Sequence, residues 1–349
     1  MNEAVLFQRI EGSAVRCLLC AHHCRIDDGQ AGICRVRVNT CGTLHTMVYG
    51  KLIAANVDPI EKKPLYHFLP GSRAYSIATV GCNFKCAWCQ NWSISQMAAD
   101  HGRIEGEQVT PGEVVAAAQE NSCASISYTY TEPTVFFEFA FDTAREAHTA
   151  GLKNSFVTNG YMSAKALGLI APYLDAANVD LKAYREGTYR TYCGAQLQPV
   201  LDTLRAMKRS GIWVEVTTLL VHGINDDPDE LEQLARFIVA DLGPETPWHV
   251  SRSHPAYRMR SLASTPISGL EHAARIGERA GLHHVYVGNI AAETPTRCAS
   301  CGDVVIRREG FRIVERRLTA DGACPRCGAA LAGVGLRLDN AAGDAGGTR

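Results

Sequence analysis

The chain has 349 residues, 46% hydrophobic and 20% charged, and its 35 Lys and Arg nearly balance its 36 Asp and Glu. Such a chain buries a core without disulfide staples, and a net charge of -1 argues against a global electrostatic grip on nucleic acid or anionic lipid. No apolar run approaches the roughly 20 residues that span a bilayer, and the polar start MNEAVLFQRIEGS lacks the layout of a secretory signal. The expected setting is therefore the cytoplasm, with no membrane partner.

Eleven of the 14 cysteines fall into three tight groups. In a reducing compartment closely spaced thiols read as metal ligands, because only such sulfurs converge on one ion or cluster. The first group, Cys17, Cys20, Cys24 and Cys34, lies in an amino-terminal segment, residues 1–70, that ends at Pro70 and Gly71. Its spacing suits zinc or an auxiliary four-iron cluster and does not choose between them. Cys41, Cys123 and Cys193 stand alone and are expected to be small buried hydrophobes.

From 71 to 292, short β-rich runs alternate with amphipathic stretches, the pattern of repeated βα units around a parallel sheet. The predicted strands are 74–80, 125–130, 154–158, 177–181, 213–220, 248–251 and 284–288. Thr110, Pro111 and Glu113 form a capping box that opens one helix, and Asp229 is expected to open another. Six or seven such units predict a full or partial (β/α) barrel with its active face at the strand carboxyl ends; an open doubly wound sheet is the alternative.

After the first predicted strand comes GCNFKCAWCQNW, with Cys82, Cys86 and Cys89 at gaps of three and two. Three thiolates hold three irons of a four-iron cluster and leave the fourth open. From spacing alone, a zinc site completed by His101 is the other reading. Further along, Glu132 follows the strand SISYTY, Thr158 and Asn159 end the next, and Asp180 and Lys182 end the one after. Residues 180 and 182 share one strand face. Each of these also has a plain reading, as a helix cap for Glu132 and a solvated ion pair for Asp180 and Lys182.

Cys298, Cys301, Cys324 and Cys327 form two Cys-x-x-Cys knuckles, each followed by glycine, in a module over 297–333. That arrangement predicts a zinc ribbon whose four thiolates fill the coordination shell. Arg307, Arg308, Arg312, Arg316 and Arg317 between the knuckles suit either an exposed ribbon strand, the favoured reading, or contact with RNA or an acidic partner. The small, polar, glycine-rich residues 334–349 predict a disordered tail.

The triplet with its preceding aromatic Trp88 resembles the signature of the radical S-adenosylmethionine superfamily. With CLLCAHHC, DPIEKKPLYHFLPGS, YTEPT, TNGY, DLKAY and PWHVSRSHPAYRM, residues 15–333 resemble the radical enzyme of the AmmeMemoRadiSam system, related to the activating enzymes of pyruvate formate-lyase. The resemblance implies an α/β fold, a partial (β/α) barrel of the radical SAM type. It implies a four-iron cluster on Cys82, Cys86 and Cys89, with reductive cleavage of S-adenosylmethionine to a 5'-deoxyadenosyl radical that abstracts hydrogen from a small-molecule or protein substrate. Glu132 would meet the cofactor's amino group, Lys182 its carboxylate and His249 its ribose, with Thr158, Asn159 and Asp180 beside it. Arg252, His254 and Tyr257 would face the substrate. Implied partners are a flavodoxin- or ferredoxin-like electron donor and proteins of the Memo and AMMECR1 types. The competing functions are a glycyl-radical enzyme activase and a nonenzymatic, metal-stabilised RNA- or protein-binding module.

Overall fold

The computed structural model describes residues 2–337. Its centre is one eight-stranded sheet: β1 (Ala54–Pro59), β2 (Arg73–Ala78), β3 (Ser125–Tyr128), β4 (Lys153–Thr158), β5 (Ala176–Asp180), β6 (Trp213–Leu220), β7 (Trp248–Arg252) and β8 (Val285–Gly288). Strand order follows chain order without reversal. A doubly wound sheet would turn back at a switch point, so the barrel reading holds. β2 to β8 run parallel, while β1 is antiparallel to β2. β1 and β8 remain as edges, which makes the barrel partial.

Alternation sorts each strand between helices and interior. Val214, Val216, Trp248 and Val250 are buried, and Trp248 meets helix Ile267–Ala280 where Gly277 allows it: a Cβ there would lie 2.9 Å from both the indole and Val285. The capping box at Thr110 forms as the sequence predicts and opens helix Pro111–Glu120. The second helix start is corrected. Asp227, not Asp229, caps Pro228–Phe237, because Pro228 takes the first helical position and the Asp227 side chain accepts from Glu230 N–H.

The amino-terminal segment is no satellite. Its β1 lengthens the barrel sheet, and Val15, Cys17, Leu19, Val36 and Leu44 share the barrel's apolar core. A buried Arg37–Glu138 ion pair at 2.8 Å ties it to helix Phe137–Thr149, with Arg37 also donating to Val5 O. Cys123 and Cys193 are buried as expected, but Cys41 is exposed, in a left-handed turn that points it away from the core.

The carboxy-terminal ribbon, with strands Thr296–Arg297, Val304–Glu309 and Arg312–Arg316, has a small core of its own around Val305, Ile306, Leu318 and Leu336. Two expectations are corrected here. Arg308 is no exposed ribbon residue: it is fully buried, donates to Tyr66 O and Thr296 Oγ1, and lies 4.5 Å over the Tyr66 ring. Residues 334–337 do not belong to a tail, since Val334 pairs with Phe68 and Leu336 is buried; residues 338–349 lie outside the described ones. The other ribbon arginines are occupied, Arg307 by Glu293 and Glu315, Arg312 by Glu309, Arg316 by Leu336 O and Arg317 by Asp303. No helix among the described residues is long and apolar enough to cross a membrane.

Ribbon and barrel meet through a directed chain of hydrogen bonds. Arg308 donates to Thr296 Oγ1, Thr296 shares a proton with Tyr286 Oη at 2.8 Å, and Tyr286 reaches His67 Nε2 at 2.7 Å. His67 Nδ1 then donates to Ala332 O at 2.8 Å. Burial lowers the His67 pKa to about 4 and so keeps it neutral at pH 7; burial and His67, 4.4 Å away, lower His284 to about 3. Unfolded histidine titrates near 6.5, so between pH 6.5 and 4 only the unfolded chain gains these protons. The stability contributed by neutral histidines is thus complete above 6.5 and lost on acidification. Urea melts should show it falling across that window, and His284→Phe should make the decline shallower by about 1 kcal/mol per pH unit. An unchanged slope would mean that His284 titrates normally.

Candidate active site

The carboxyl ends of the strands open onto one cavity with about 1300 Å³ of unfilled space, continuous with solvent. The loop after β2 brings Cys82, Cys86 and Cys89 to its wall. That loop is pinned from behind: Lys85 N–H donates to Cys193 O and Ala87 N–H to Tyr192 O, both at 2.9 Å, and the buried Trp88 packs against the Tyr192 ring. Each sulfur has a donor at hand. Phe84 N–H lies 3.3 Å from Cys82 Sγ, and the Ser95 hydroxyl 3.3 Å from Cys89 Sγ. The neighbouring Cys193 thiol lowers the Cys86 pKa, so Cys193 is more than the inert core residue its isolation in sequence suggests.

Among the described residues, only the carboxy-terminal tetrad brings three or more ligand atoms within 4.8 Å of one another. The triplet is therefore not gathered around a single ion, and the exposed His101 does not line the cavity.

Glu132 lies opposite the cysteines and is 1% exposed. Its Oε1 accepts from Thr134 N–H and from the Thr134 and Thr158 hydroxyls at 3.0, 2.6 and 2.7 Å, and its Oε2 accepts from Asn159 N–H at 2.8 Å. Burial nevertheless raises its pKa. The capping reading is thus realised, yet a carboxylate has about four acceptor sites with two on each oxygen, so Oε2 keeps one. Thr158 and Asn159 position Glu132, and Asn159 also bonds Asn83 Oδ1 at 2.7 Å. Gly160 makes this turn possible: it sits at φ +70°, and a Cβ would come 2.8 Å from Val179.

Asp180 and Lys182 form a 2.6 Å ion pair on the cavity wall. Burial opposes the Lys182 charge, but Asp180 and Cys86 outweigh it and raise its pKa. Exposures of 15% for Lys182 and 29% for Asp180 set this pair apart from the solvated surface pair considered above.

His249 is the exception. Register sets it beside Thr217, which lines the cavity, but its ring turns onto Glu215 at 2.7 Å, between Tyr66 and Tyr286. His249 does not line the cavity; Ser251, two residues on, does. The loop after β7 instead flanks the cysteine loop, with Gln90 donating to His254 O, Arg258 N–H to Ala87 O, and Tyr257 stacked on Trp92. Arg252 is occupied by Thr265 O.

Sequence reasoning missed the group at the cavity mouth. Lys62 and Lys63 both pair with Asp58, at 2.8 and 2.6 Å, and Asp58 also accepts from the Tyr130 hydroxyl. Burial brings Lys63 down to about 8 against the pull of Asp58. Tyr130 holds φ +61°, a left-handed conformation costly for a non-glycine residue, and this turn ends β3 at Tyr128 rather than at 130. Asn91 bonds its carbonyl and the Lys63 ammonium lies 4.3 Å over its ring. The string DPIEKK was the available signal, but nothing in it tells that β1 carries it to the barrel mouth.

The site is thus a partial (β/α) barrel with three cysteines on the loop after an early strand, facing a carboxylate and an ion pair on later strand ends. Residues 76–238 match the model of the Radical SAM superfamily and form a Radical SAM domain. The chain is 42% identical over 313 residues, 89% of this chain and 92% of the relative, to an uncharacterised protein of Methanocaldococcus jannaschii. Among solved structures, a domain of a pyruvate-formate lyase-activating enzyme from Bacteroides vulgatus aligns over 48% of this chain and 99% of its own, at 16% identity and TM-score 0.42. Streptococcus suis SuiB bound to S-adenosylmethionine aligns over 65% of this chain and 52% of its own, at 12% identity and TM-score 0.48.

Because four donors converge on Glu132, Glu132→Gln would turn an amide nitrogen toward at least one of them. Its expected cost is about 1–3 kcal/mol in denaturant melts, with iron content after reconstitution near wild type. A loss of iron equal to that of Cys86→Ala would overturn the separation of Glu132 from metal binding.

Proposed function

We propose that this protein reductively cleaves S-adenosylmethionine and abstracts hydrogen from a small-molecule or protein substrate, as the radical enzyme of an AmmeMemoRadiSam system. The observation carrying the proposal is that Cys82, Cys86, Cys89, Glu132, Asp180 and Lys182, far apart in sequence, line one cavity. The donor set fits the implied cofactors: three thiols supply ligands for three irons and leave one iron open. Trp88 Nε1 and Thr217 Oγ1, both buried in the cavity lining, have no protein partner. When bound, the cluster and S-adenosylmethionine supply one-electron chemistry and a 5'-deoxyadenosyl radical.

The chain's own residues orient and shield. The free acceptor site on Glu132 Oε2 suits an ammonium group, and the Lys182 ammonium suits a carboxylate, with Asp180 holding Lys182 in place. Donors on the three sulfurs stabilise thiolate charge and tune the potential of whatever the sulfurs ligate. Lys62, Lys63, Asp58 and Tyr130 line or brace the mouth and select for polar groups at the substrate's outer end. His249 is a positioning residue in this reading, acting through Glu215. The electron donor is of the flavodoxin or ferredoxin kind, and Memo- and AMMECR1-type proteins are the expected partners. Against the RNA-binding alternative, Arg308 is buried over Tyr66 and contributes nothing to a basic surface.

The carboxy-terminal tetrad is assigned to zinc. Its sulfurs stand 3.6 Å apart for Cys298–Cys327 and 3.7 Å for Cys301–Cys324, the spacing of four thiolates at about 2.3 Å from one tetrahedral ion. Gly302 and Gly328, both at φ +73°, close the two knuckles alike.

Anaerobic reconstitution with iron and sulfide, followed by reduction with S-adenosylmethionine, should yield 5'-deoxyadenosine and methionine, and Cys86→Ala should yield neither. A reducible cluster with no product and no cofactor binding would sink the proposal. Separately, Cys301→Ala should lose about one zinc per chain by elemental analysis and melt earlier, since a structural site contributes folding free energy. An unchanged melting temperature would argue against the zinc assignment.

A further inference from the structure

The four amino-terminal cysteines are arranged unlike the zinc tetrad. Cys17, Cys20, Cys24 and Cys34 line one recess that opens to solvent, but no three of them come within the 4.8 Å that the ribbon sulfurs keep. One tetrahedral ion draws its thiolates to the ribbon's spacing; a cube of four irons holds them at its corners, farther apart. The same molecule therefore contains the single-ion geometry at one end and a wider four-thiol recess at the other.

Two residues of the recess wall carry a buried donor without a partner. Arg37 Nε and Asn83 Nδ2 belong to side chains each 1% exposed, both residues line the recess, and neither atom has a protein partner. A buried donor without an acceptor costs about 1–3 kcal/mol, so two in one wall call for an acceptor-rich, negatively charged occupant. A cluster carrying four thiolates supplies sulfur acceptors and net negative charge. Of the rest of the wall, Leu19, Ile26 and Val135 are apolar, and His22 has its Nε2 engaged by Asn83 O.

We infer that Cys17, Cys20, Cys24 and Cys34 bind a second four-iron cluster, fully ligated by protein, immediately behind the cavity of the first. The wall between the two sites is short. His22 Nε2 bonds Asn83 O at 2.8 Å, and Asn83 is covalently next to Cys82. The knuckle is fastened to the loop after β4, since Ala21 N–H donates to Tyr161 O, Ser163 N–H to Leu19 O, and Cys20 pairs with Met162. The ligand assignment stands without the radical reading; the pairing of a closed cluster with an open one rests on it.

Anaerobic reconstitution of the full chain, with iron, sulfide and zinc counted per chain, tests the inference. The wild type should hold about eight irons and about one zinc. The triple variant Cys82→Ala, Cys86→Ala, Cys89→Ala should keep about four irons and show a reduced-cluster electron paramagnetic resonance signal without any response to S-adenosylmethionine. Adding Cys24→Ala and Cys34→Ala to that triple variant should abolish the signal. A triple variant with no iron, or a wild type with about four irons and about two zincs, overturns it. Either result leaves the cleavage assay on the wild type free to succeed, so the two proposals fail separately.

Discussion

A carboxylate with no exposure at all sits in the middle of the barrel and has to be answered from every side. Glu215 accepts from Tyr66 N–H, His67 N–H, Trp213 Nε1 and His249 Nε2 at 2.7–3.0 Å. Burial raises the cost of its charge, but His249 and the other donors outweigh that and hold its pKa below the usual carboxylate range. An ionised group in such a place is stable only while all its partners stay together. Those partners come from the segment before β2, from β6 itself and from β7. The hub therefore fixes the stretch 66–67 against the barrel floor, and the same stretch receives the ribbon through Arg308, Tyr286 and Ala332. The catalytic face above inherits its rigidity from this layer below.

The two faces of the barrel divide the polar residues between them. At the floor both oxygens of Glu215 are matched within the protein, and the result is cohesion of three segments. At the mouth the matching is incomplete: Glu132 keeps one acceptor site, while Trp88 and Thr217 have donors without partners. Unmatched polar atoms in the wall of an open cavity are available to whatever enters it. The recess behind Cys82, with Arg37 and Asn83, follows the same rule.

The seven predicted strands were legible because each is a short β-rich run ended by turn chemistry, and the observed ends differ from the predicted ones by at most two residues. The cysteine triplet was legible from spacing. Helix starts were legible where proline and a capping side chain agree, and misplaced where two aspartates competed, at 227 and 229. What could not be read is contact across long separations. Arg308 looks like any ribbon arginine until the ribbon docks on Tyr66, and Cys193 looks idle until its helical turn lies behind the cysteine loop. His249 sits on the predicted strand and faces the predicted interior, yet its ring points down to Glu215 rather than up to the cavity, a choice of side-chain direction that alternation does not make.

The contacts that close the structure also set when it can close during synthesis. His67 bonds Ala332 across 265 residues of sequence and Arg308 bonds Tyr66 across 242, so the floor cannot be completed until almost the whole chain has left the ribosome. At about 5–20 residues per second, the thiols of residues 17–34 emerge roughly 15–60 s before Ala332 does. Their anchoring partners at 161–163 arrive about midway. During that interval the first cysteines are held by neither barrel nor ribbon and meet whatever metal the surroundings offer. The order of translation thus leaves these four thiols without their folded surroundings for most of the time that the chain takes to be made.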